Sequence, residues 1–252
     1  MNIPDTILLT GANGQSAIHL AEKLLAQNCR LMLLYHNRTD RLEKLVNVNT
    51  GKCFLHKVDL TDHQAVCEVY NTITEEAKSH PGALIHTAAI RSFDAKPLSE
   101  SEPAVWTRIF NANVSMAYNI LRCVLPPMQQ TKKGKIVLFG SNVTRTGLPY
   151  GTAYAAAKAA LVNLVRSTAW EVAEHNIQIN IVSPAPLDTD PKQDYQGDYL
   201  EFRKQYFEAY IRSHPAHRLV KPDDVTQTVM SLLNQELTYL SGEEIFLTGG
   251  VL

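Results

Sequence analysis

The chain has 252 residues, 45% of them hydrophobic and 19% charged, with a formal net charge of −1. That length and apolar content suffice to bury a core without disulfides or a structural metal. The near-neutral balance, with no long basic or acidic run, excludes the electrostatic footprint of a nucleic-acid binder or an anionic-membrane binder. Cys29, Cys53, Cys67 and Cys123 form no C-x-x-C pair and read as free thiols. The histidines lack zinc-ligand spacing, so no metal is expected, and His86 in Ala83-Leu84-Ile85-His86 reads as a core or strand-end side chain. The first apolar run, Ile7-Leu8-Leu9, is too short for a signal peptide or a membrane span, and a cytoplasmic protein is expected.

Short, almost continuously apolar runs predict strands at 6–10, 31–36, 54–58, 83–87, 135–140, 177–182 and 244–247. Longer periodic stretches between them predict helices near 15–27, 39–47, 62–79, 103–129, 151–175 and 222–235. Asp62, Ser101 and Asp223 are candidate helix starts, and Pro103 and Pro222 suit first-turn positions. This alternation predicts an α/β fold, one doubly wound parallel sheet of about seven strands with helices on both faces. No linker or repeat divides the chain, so residues 1–252 are expected to form a single domain. Residues 186–220 interrupt the alternation with a helical pattern through 199–211. An insertion there, beside the strands' carboxyl ends, is read either as a substrate lid or as a plain surface helix.

Two local patterns carry chemistry. The first strand runs into Thr10-Gly11-Ala12-Asn13-Gly14-Gln15-Ser16-Ala17, which opens a helix. Glycines at such a turn let backbone N–H groups approach a pyrophosphate, which the helix N-terminus also attracts. Tyr154 and Lys158 stand four apart on a predicted helix, so both project from one face. An ammonium beside a phenol favours the phenolate, lowering a pKa of ~10 and fitting the tyrosine for general acid–base work.

Those patterns fall in register with others. Ser141 follows a strand and precedes Tyr154, Asn113 lies on the preceding helix, and Ser183-Pro184-Ala185 follows the sixth strand. With the terminal Thr248-Gly249-Gly250, the set resembles the short-chain dehydrogenase/reductase family, in its single-domain branch of chains about this long. The resemblance spans Thr6 to Gly250 and implies a nicotinamide-dependent oxidoreductase acting on a carbonyl or alcohol. It implies that Tyr154 exchanges a proton with the substrate oxygen, which Ser141 holds. Lys158 then lowers the tyrosine pKa and binds the nicotinamide ribose, and Asn113 positions a water linking Lys158 to solvent. The resemblance places Gly11, Asn13, Gly14, Gln15, Ser16, Ala88 and Pro184 along the cofactor, with Asp59 and Leu60 at its adenine and Thr189 at its carboxamide or phosphate. The T-G-x-x-G-x-x-A turn and the segment His86-Thr87-Ala88-Ala89 are closer to the family's extended, sugar-modifying branch. Two other readings therefore stay open: an epimerase or lyase using the same Tyr/Lys pair, and a non-catalytic dinucleotide-binding sensor.

The second strand ends in Leu34-Tyr35-His36-Asn37-Arg38, with no acid to receive a ribose 2′-hydroxyl. Arg38 can meet a 2′-phosphate, which favours NADP(H), with NAD(H) as the alternative. Position makes Arg91, Phe93, Arg145 and Tyr150 candidate substrate contacts, together with residues 188–214. The partners expected are a small-molecule substrate and further copies of the chain, a tetramer or a dimer. The resemblance puts the interface on the helices at 103–129 and 151–175, the second of which carries apolar residues on more than one face.

Overall fold

The computed structural model describes residues 2–91 and 95–251. Seven parallel strands form one sheet in the order β3-β2-β1-β4-β5-β6-β7. They are β1 (Thr6–Thr10), β2 (Arg30–Tyr35), β3 (Cys53–Lys57), β4 (Ala83–His86), β5 (Gly134–Phe139), β6 (Ile177–Pro184) and β7 (Glu244–Leu247). Every residue of β1, β4, β5 and β6 is buried, which is why these strands are largely apolar, and the polar side chains of Lys135, Gln178 and Asn180 are buried with them. The strand order reverses between β1 and β4, and their carboxyl ends open a crevice there.

The helices are α1 (Gln15–Ala26), α2 (Leu42–Val48), α3 (His63–Ala77), α4 (Pro103–Thr131), α5 (Val143–Thr146), α6 (Thr152–Val172), α7 (Gly197–Ser213) and α8 (Pro222–Leu233). Alternate side chains of each strand feed two cores. Leu8, Met32, Leu84, Ile136 and Ile179 pack against α3, α4 and α6, while Ile7, Leu31, Ala83, Val137 and Val182 pack against α1, α2 and α8. Asp62 caps α3 as its sequence suggests, accepting from the backbone N–H of Gln64 and Ala65. The other two expected starts shift. α4 begins from Glu102 rather than Ser101, and α8 from Lys221, because Pro103 and Pro222 occupy the first helical position and fix the turn before it.

The insertion leaves the sheet after β6 and returns before α8, and its two ends pair with each other. The N–H of Asp188 donates to the Val220 carbonyl at 2.8 Å, and that of Val220 to the Pro186 carbonyl at 3.0 Å. α7 lies between these ends.

One buried amide ties α4 to the loop after β3. Asn119, 4% exposed, donates from Nδ2 to the carbonyls of Leu60 and Thr61 at 2.9 and 3.2 Å. Removing it leaves both acceptors without that donor, at a cost of about 2 kcal/mol. Asn119→Ala is expected to lower the urea midpoint by that free energy, and an unchanged midpoint would show the contact to be dispensable.

Candidate active site

Two openings meet above the carboxyl ends of the strands. The larger, about 730 Å³, is a groove whose lining includes Gly11, Gly14, Tyr35, His36, Asp59, Leu60 and Ala88. The smaller, about 130 Å³, is a cavity lined by Ser141, Tyr154, Lys158, Pro184 and Thr189 together with α7 side chains. Thr87, Ala89 and Arg91, in the loop after β4, border both.

The groove begins where β1 turns into α1. Gly11 has φ +67°, and a Cβ there would meet the Ala88 backbone nitrogen at 2.7 Å, so the chain approaches β4 too closely for a side chain. Thr87 Oγ1 fastens the same crossing by donating to the Thr10 carbonyl at 2.7 Å. Ser16 lies in the first turn of α1. Asp59, its side chain 52% exposed, accepts from Thr61 N and Oγ1 at 2.9 and 2.7 Å, and these bonds hold its carboxyl below the ordinary carboxylate range.

Three of the residues expected at the cofactor make contacts that the sequence does not announce. Asn13 donates to Asp40 at 3.1 Å, and its backbone carbonyl accepts from Arg41 at 2.8 Å. Arg38 forms a two-point pair with Asp40 at 2.9 and 3.1 Å. Gln15 donates to the Asp190 carbonyl and to Asp194 Oδ2, both at 2.8 Å, and accepts from the Asp190 N–H at 2.9 Å. Arg41, only 14% exposed, completes the clasp with Asp194 at 2.9 Å. The insertion is thus fastened to the glycine turn after β1 and to the segment after β2.

In the cavity, Tyr154 and Lys158 stand one turn apart at the start of α6. Lys158 is 1% exposed, and its ammonium donates to the Phe139 carbonyl at 2.6 Å, where β5 ends. Burial, reinforced by the nearby Arg91 charge, brings its pKa down to about 7. Tyr154 hydrogen-bonds Ser141, yet burial raises its pKa above the ordinary phenol value. The opposing pulls come from Arg91, then Arg203, then Ser141. The expected lowering of the tyrosine pKa by Lys158 is not what the site shows: burial dominates, and the charges that oppose it are the two arginines.

His86, 1% exposed, shares a 2.8 Å hydrogen bond with Thr10 Oγ1. Burial, with Lys158 adding to it, drives its pKa down to about 3, so the imidazole is neutral. Asn113 lies outside the cavity lining. Its amide donates to the carbonyls of Ile90 and Ile109, both at 2.7 Å, and accepts from Ile90 N at 3.1 Å. That side chain is spent on clamping the loop after β4 to α4.

The substrate candidates divide. Arg91 lines the cavity. Arg145 and Tyr150 do not: the Arg145 guanidinium sits 4.1 Å from the centre of the Phe246 ring, and Tyr150 is 49% exposed. Phe93 lies outside the described residues. Residues that individual motifs do not reveal are Tyr199, Arg203, Tyr206 and Phe207 of α7, all in the cavity lining. Their helical spacing on an otherwise polar segment is the signal that the sequence offers. Among the described residues no His/Cys/Asp/Glu cluster could hold a metal, and no helix is long and apolar enough to cross a membrane.

A doubly wound sheet with a glycine turn at its switch point, beside a Tyr/Lys pair, defines a dinucleotide-dependent enzyme class. The chain belongs to the short-chain dehydrogenase/reductase family and is an oxidoreductase of that family. A family model described as enoyl-(acyl carrier protein) reductase matches residues 12–252. The 3-oxoacyl-[acyl-carrier-protein] reductase MabA of Mycobacterium tuberculosis is 27% identical over 246 residues, covering 98% of this chain and 92% of that one. The 3-oxoacyl-[acyl-carrier-protein] reductase FabG of Thermotoga maritima is 28% identical over 248 residues, covering 97% and 96%. Among solved structures, levodione reductase superposes with a TM-score of 0.87 at 23% identity, over 97% of this chain and 96% of that one. ElxO with NADP bound superposes at 0.85 with 22% identity, over 98% of each.

The Lys158 shift has a measurable consequence. Between about pH 7 and 10.5 the unfolded chain binds a proton at this position that the folded one does not, so stability rises with pH through that window. Urea unfolding across pH 7 to 10 is expected to show wild type gaining stability relative to Lys158→Met. A constant difference would mean that the ammonium is not destabilised in the fold.

Proposed function

We propose that the chain is an NADP(H)-dependent reductase that converts a carbonyl to an alcohol. The observation that carries this reading is the cavity in which Tyr154, Ser141 and Lys158 meet, adjoining the groove that starts at Gly11. The groove fits a dinucleotide: it is long, it begins at a glycine with no room for a Cβ, and it reaches Asp59 and Leu60 at its far end. When bound, the cofactor supplies the hydride. The protein's residues do the rest. Tyr154 delivers its phenolic proton to the carbonyl oxygen, and Ser141 hydrogen-bonds the same oxygen. Lys158 is placed to hold the nicotinamide ribose, and Asn113 positions the loop after β4. Pro184 and Thr189 border the nicotinamide end. We assign residues 186–220 the role of a lid, since they both clasp the phosphate turn and roof the cavity.

Arg38 and Arg41 at the end of β2 support NADP(H) over NAD(H), with Asp40 and Asp194 balancing their charge until a 2′-phosphate arrives. The curated relatives are named for 3-oxoacyl groups, and ElxO was solved with NADP, which direct the assay to NADPH and oxo compounds. The test is NADPH oxidation with a panel of short ketones and 3-oxoacyl thioesters. Tyr154→Phe is expected to lose at least a hundredfold in turnover, on the scale of a lost general acid, while still binding NADPH. A variant retaining a tenth of the wild-type rate would remove Tyr154 from the reaction.

We also propose a homo-oligomer built on α4 and α6. Trp170 on α6 is 87% exposed and Tyr118 on α4 is 47% exposed, apolar surface that a partner copy can cover. Light scattering at micromolar concentration is expected to give a multiple of 28.1 kDa, and Trp170→Glu to lower it. A wild-type mass of one chain would exclude this assembly.

A further inference from the structure

The cavity described above holds more positive charge than the reaction at Tyr154 requires. Arg91, Lys158 and Arg203 all line it, and among the described residues its lining includes no aspartate or glutamate. Neither Arg91 nor Arg203 forms an ion pair among the described residues. Both instead rest on aromatic rings. The Arg91 guanidinium is 5.4 Å from the centre of the Tyr195 ring, and that of Arg203 is 5.6 Å from the same ring, 5.4 Å from Tyr206 and 4.6 Å from Phe207.

Rings stabilise a guanidinium by about 0.5–2 kcal/mol and leave its in-plane N–H groups free to donate to another group. The Nε of Arg203 is buried and has no hydrogen-bond partner. A charged donor left in that state costs more than a neutral one, and buried donors are nearly always satisfied in folded proteins. Two guanidiniums held on aromatic rings beside Tyr154, with no aspartate or glutamate in the described cavity lining, are suited to receive an anion.

We propose that the carbonyl substrate carries its own anionic group, a carboxylate or a phosphate close to the reacting carbon, which is received by Arg203 with Arg91. The proposal rests on the reductase reading and narrows it, from oxo compounds in general to oxo acids and phosphorylated ketones. A free oxo acid is distinguished thereby from a neutral oxoacyl thioester. The cavity, about 130 Å³ against roughly 300–1,000 Å³ for pockets that take drug-sized ligands, suits a short molecule. Tyr199, Tyr206 and Phe207 line the cavity beside Arg203, and aromatic walls of low polarity strengthen charge attraction there. The same arginines pull the Tyr154 phenol toward ionisation. A substrate anion seated on them offsets that pull and keeps the proton on the phenol until the carbonyl oxygen takes it.

The test uses matched pairs and two readouts. With NADP⁺ saturating, calorimetry would compare 2-hydroxybutyrate, 3-hydroxybutyrate and glycerol 3-phosphate with the two methyl esters and glycerol. With NADPH, turnover would compare 2-oxobutyrate, acetoacetate and dihydroxyacetone phosphate with their neutral counterparts, including the N-acetylcysteamine thioester of acetoacetate. At least one anion is expected to bind, and its oxo form to react, ten times better than its neutral partner. Arg203→Gln should abolish that preference, while Arg203→Lys, which restores a charge, should recover part of it. The carboxylate and phosphate arms separate the two anions. Neutral members matching or exceeding the anions in every pair would overturn the proposal and leave the reductase reading standing. So would a preference that Arg203→Gln leaves intact, or one seen only without NADP⁺, which would give the arginines to the cofactor. Anion binding with no turnover of any member would sustain the anion site and overturn the reductase reading. Neither binding nor turnover would overturn both.

Discussion

Burying the Lys158 ammonium is the costliest arrangement in the site, and the geometry around it follows from containing that cost. A buried ammonium needs an acceptor aimed at it, and the last carbonyl of β5 is that acceptor, at 2.6 Å. This fixes α6 against the carboxyl end of β5 and so places Tyr154, one turn earlier, over the loop that carries Ser141. Gly140 lies between the two. A Cβ there would meet Ser183 Oγ at 2.2 Å, so the β5 turn can hug β6 only without a side chain. The lysine's position thus constrains helix, strand end and turn together.

The contacts between the insertion and the rest of the chain are of a different energetic kind. Arg38 is about half exposed where it meets Asp40, and pairs of that sort contribute roughly 0–1 kcal/mol. Gln15, Arg41 and Asp194 make several bonds at once, with Arg41 largely shielded from solvent. The sum is a clasp strong enough to order the segment and weak enough to exchange its carboxylates for a cofactor's phosphates. The residues we assign to the phosphates are the ones that the insertion holds. In the proposed reading, keeping the lid clasped and binding the dinucleotide therefore draw on the same donors and oppose one another.

The sheet was legible because its physics is local. Strands in the middle of a covered sheet must read as apolar runs, and a helix between each pair must carry one apolar stripe, so the residues alone show the alternation to within about three positions. The Tyr154/Lys158 pair and the Gly11 turn were legible for a related reason: each needs a fixed spacing on one element. What stayed hidden joins distant parts of the chain. Asp194 meets Gln15 across 179 positions, and Arg41 meets Asp194 across 153. No spacing encodes such meetings. The site's electrostatics were hidden for the same cause. The i, i+4 geometry that brings Lys158 beside Tyr154 cannot reveal that burial brings the lysine's pKa down to about 7, nor that Arg203 of a remote helix adds its charge to the site. Arg145 misled in the opposite sense, close in sequence to Ser141 and Tyr154 but stacked on Phe246.

Taken together, these groups set how the cavity's charge varies. His86, its pKa near 3, stays neutral beside Lys158 and adds nothing at neutral pH. Tyr154 stays protonated because burial outweighs the arginines. Arg91 and Arg203 are permanently charged. Among the titratable groups of the described lining, that leaves Lys158, near 7, as the one whose charge is undecided in the physiological range. Arg91 is among the reasons, since it repels the ammonium. An anion placed between the arginines removes part of that repulsion and adds attraction, both of which raise the lysine's pKa and favour its charged form. On this argument a substrate anion does more than anchor the molecule. It restores to Lys158 the charge that burial weakens and eases the arginines' pull on the Tyr154 phenol, so the proton stays on its donor until the carbonyl oxygen takes it.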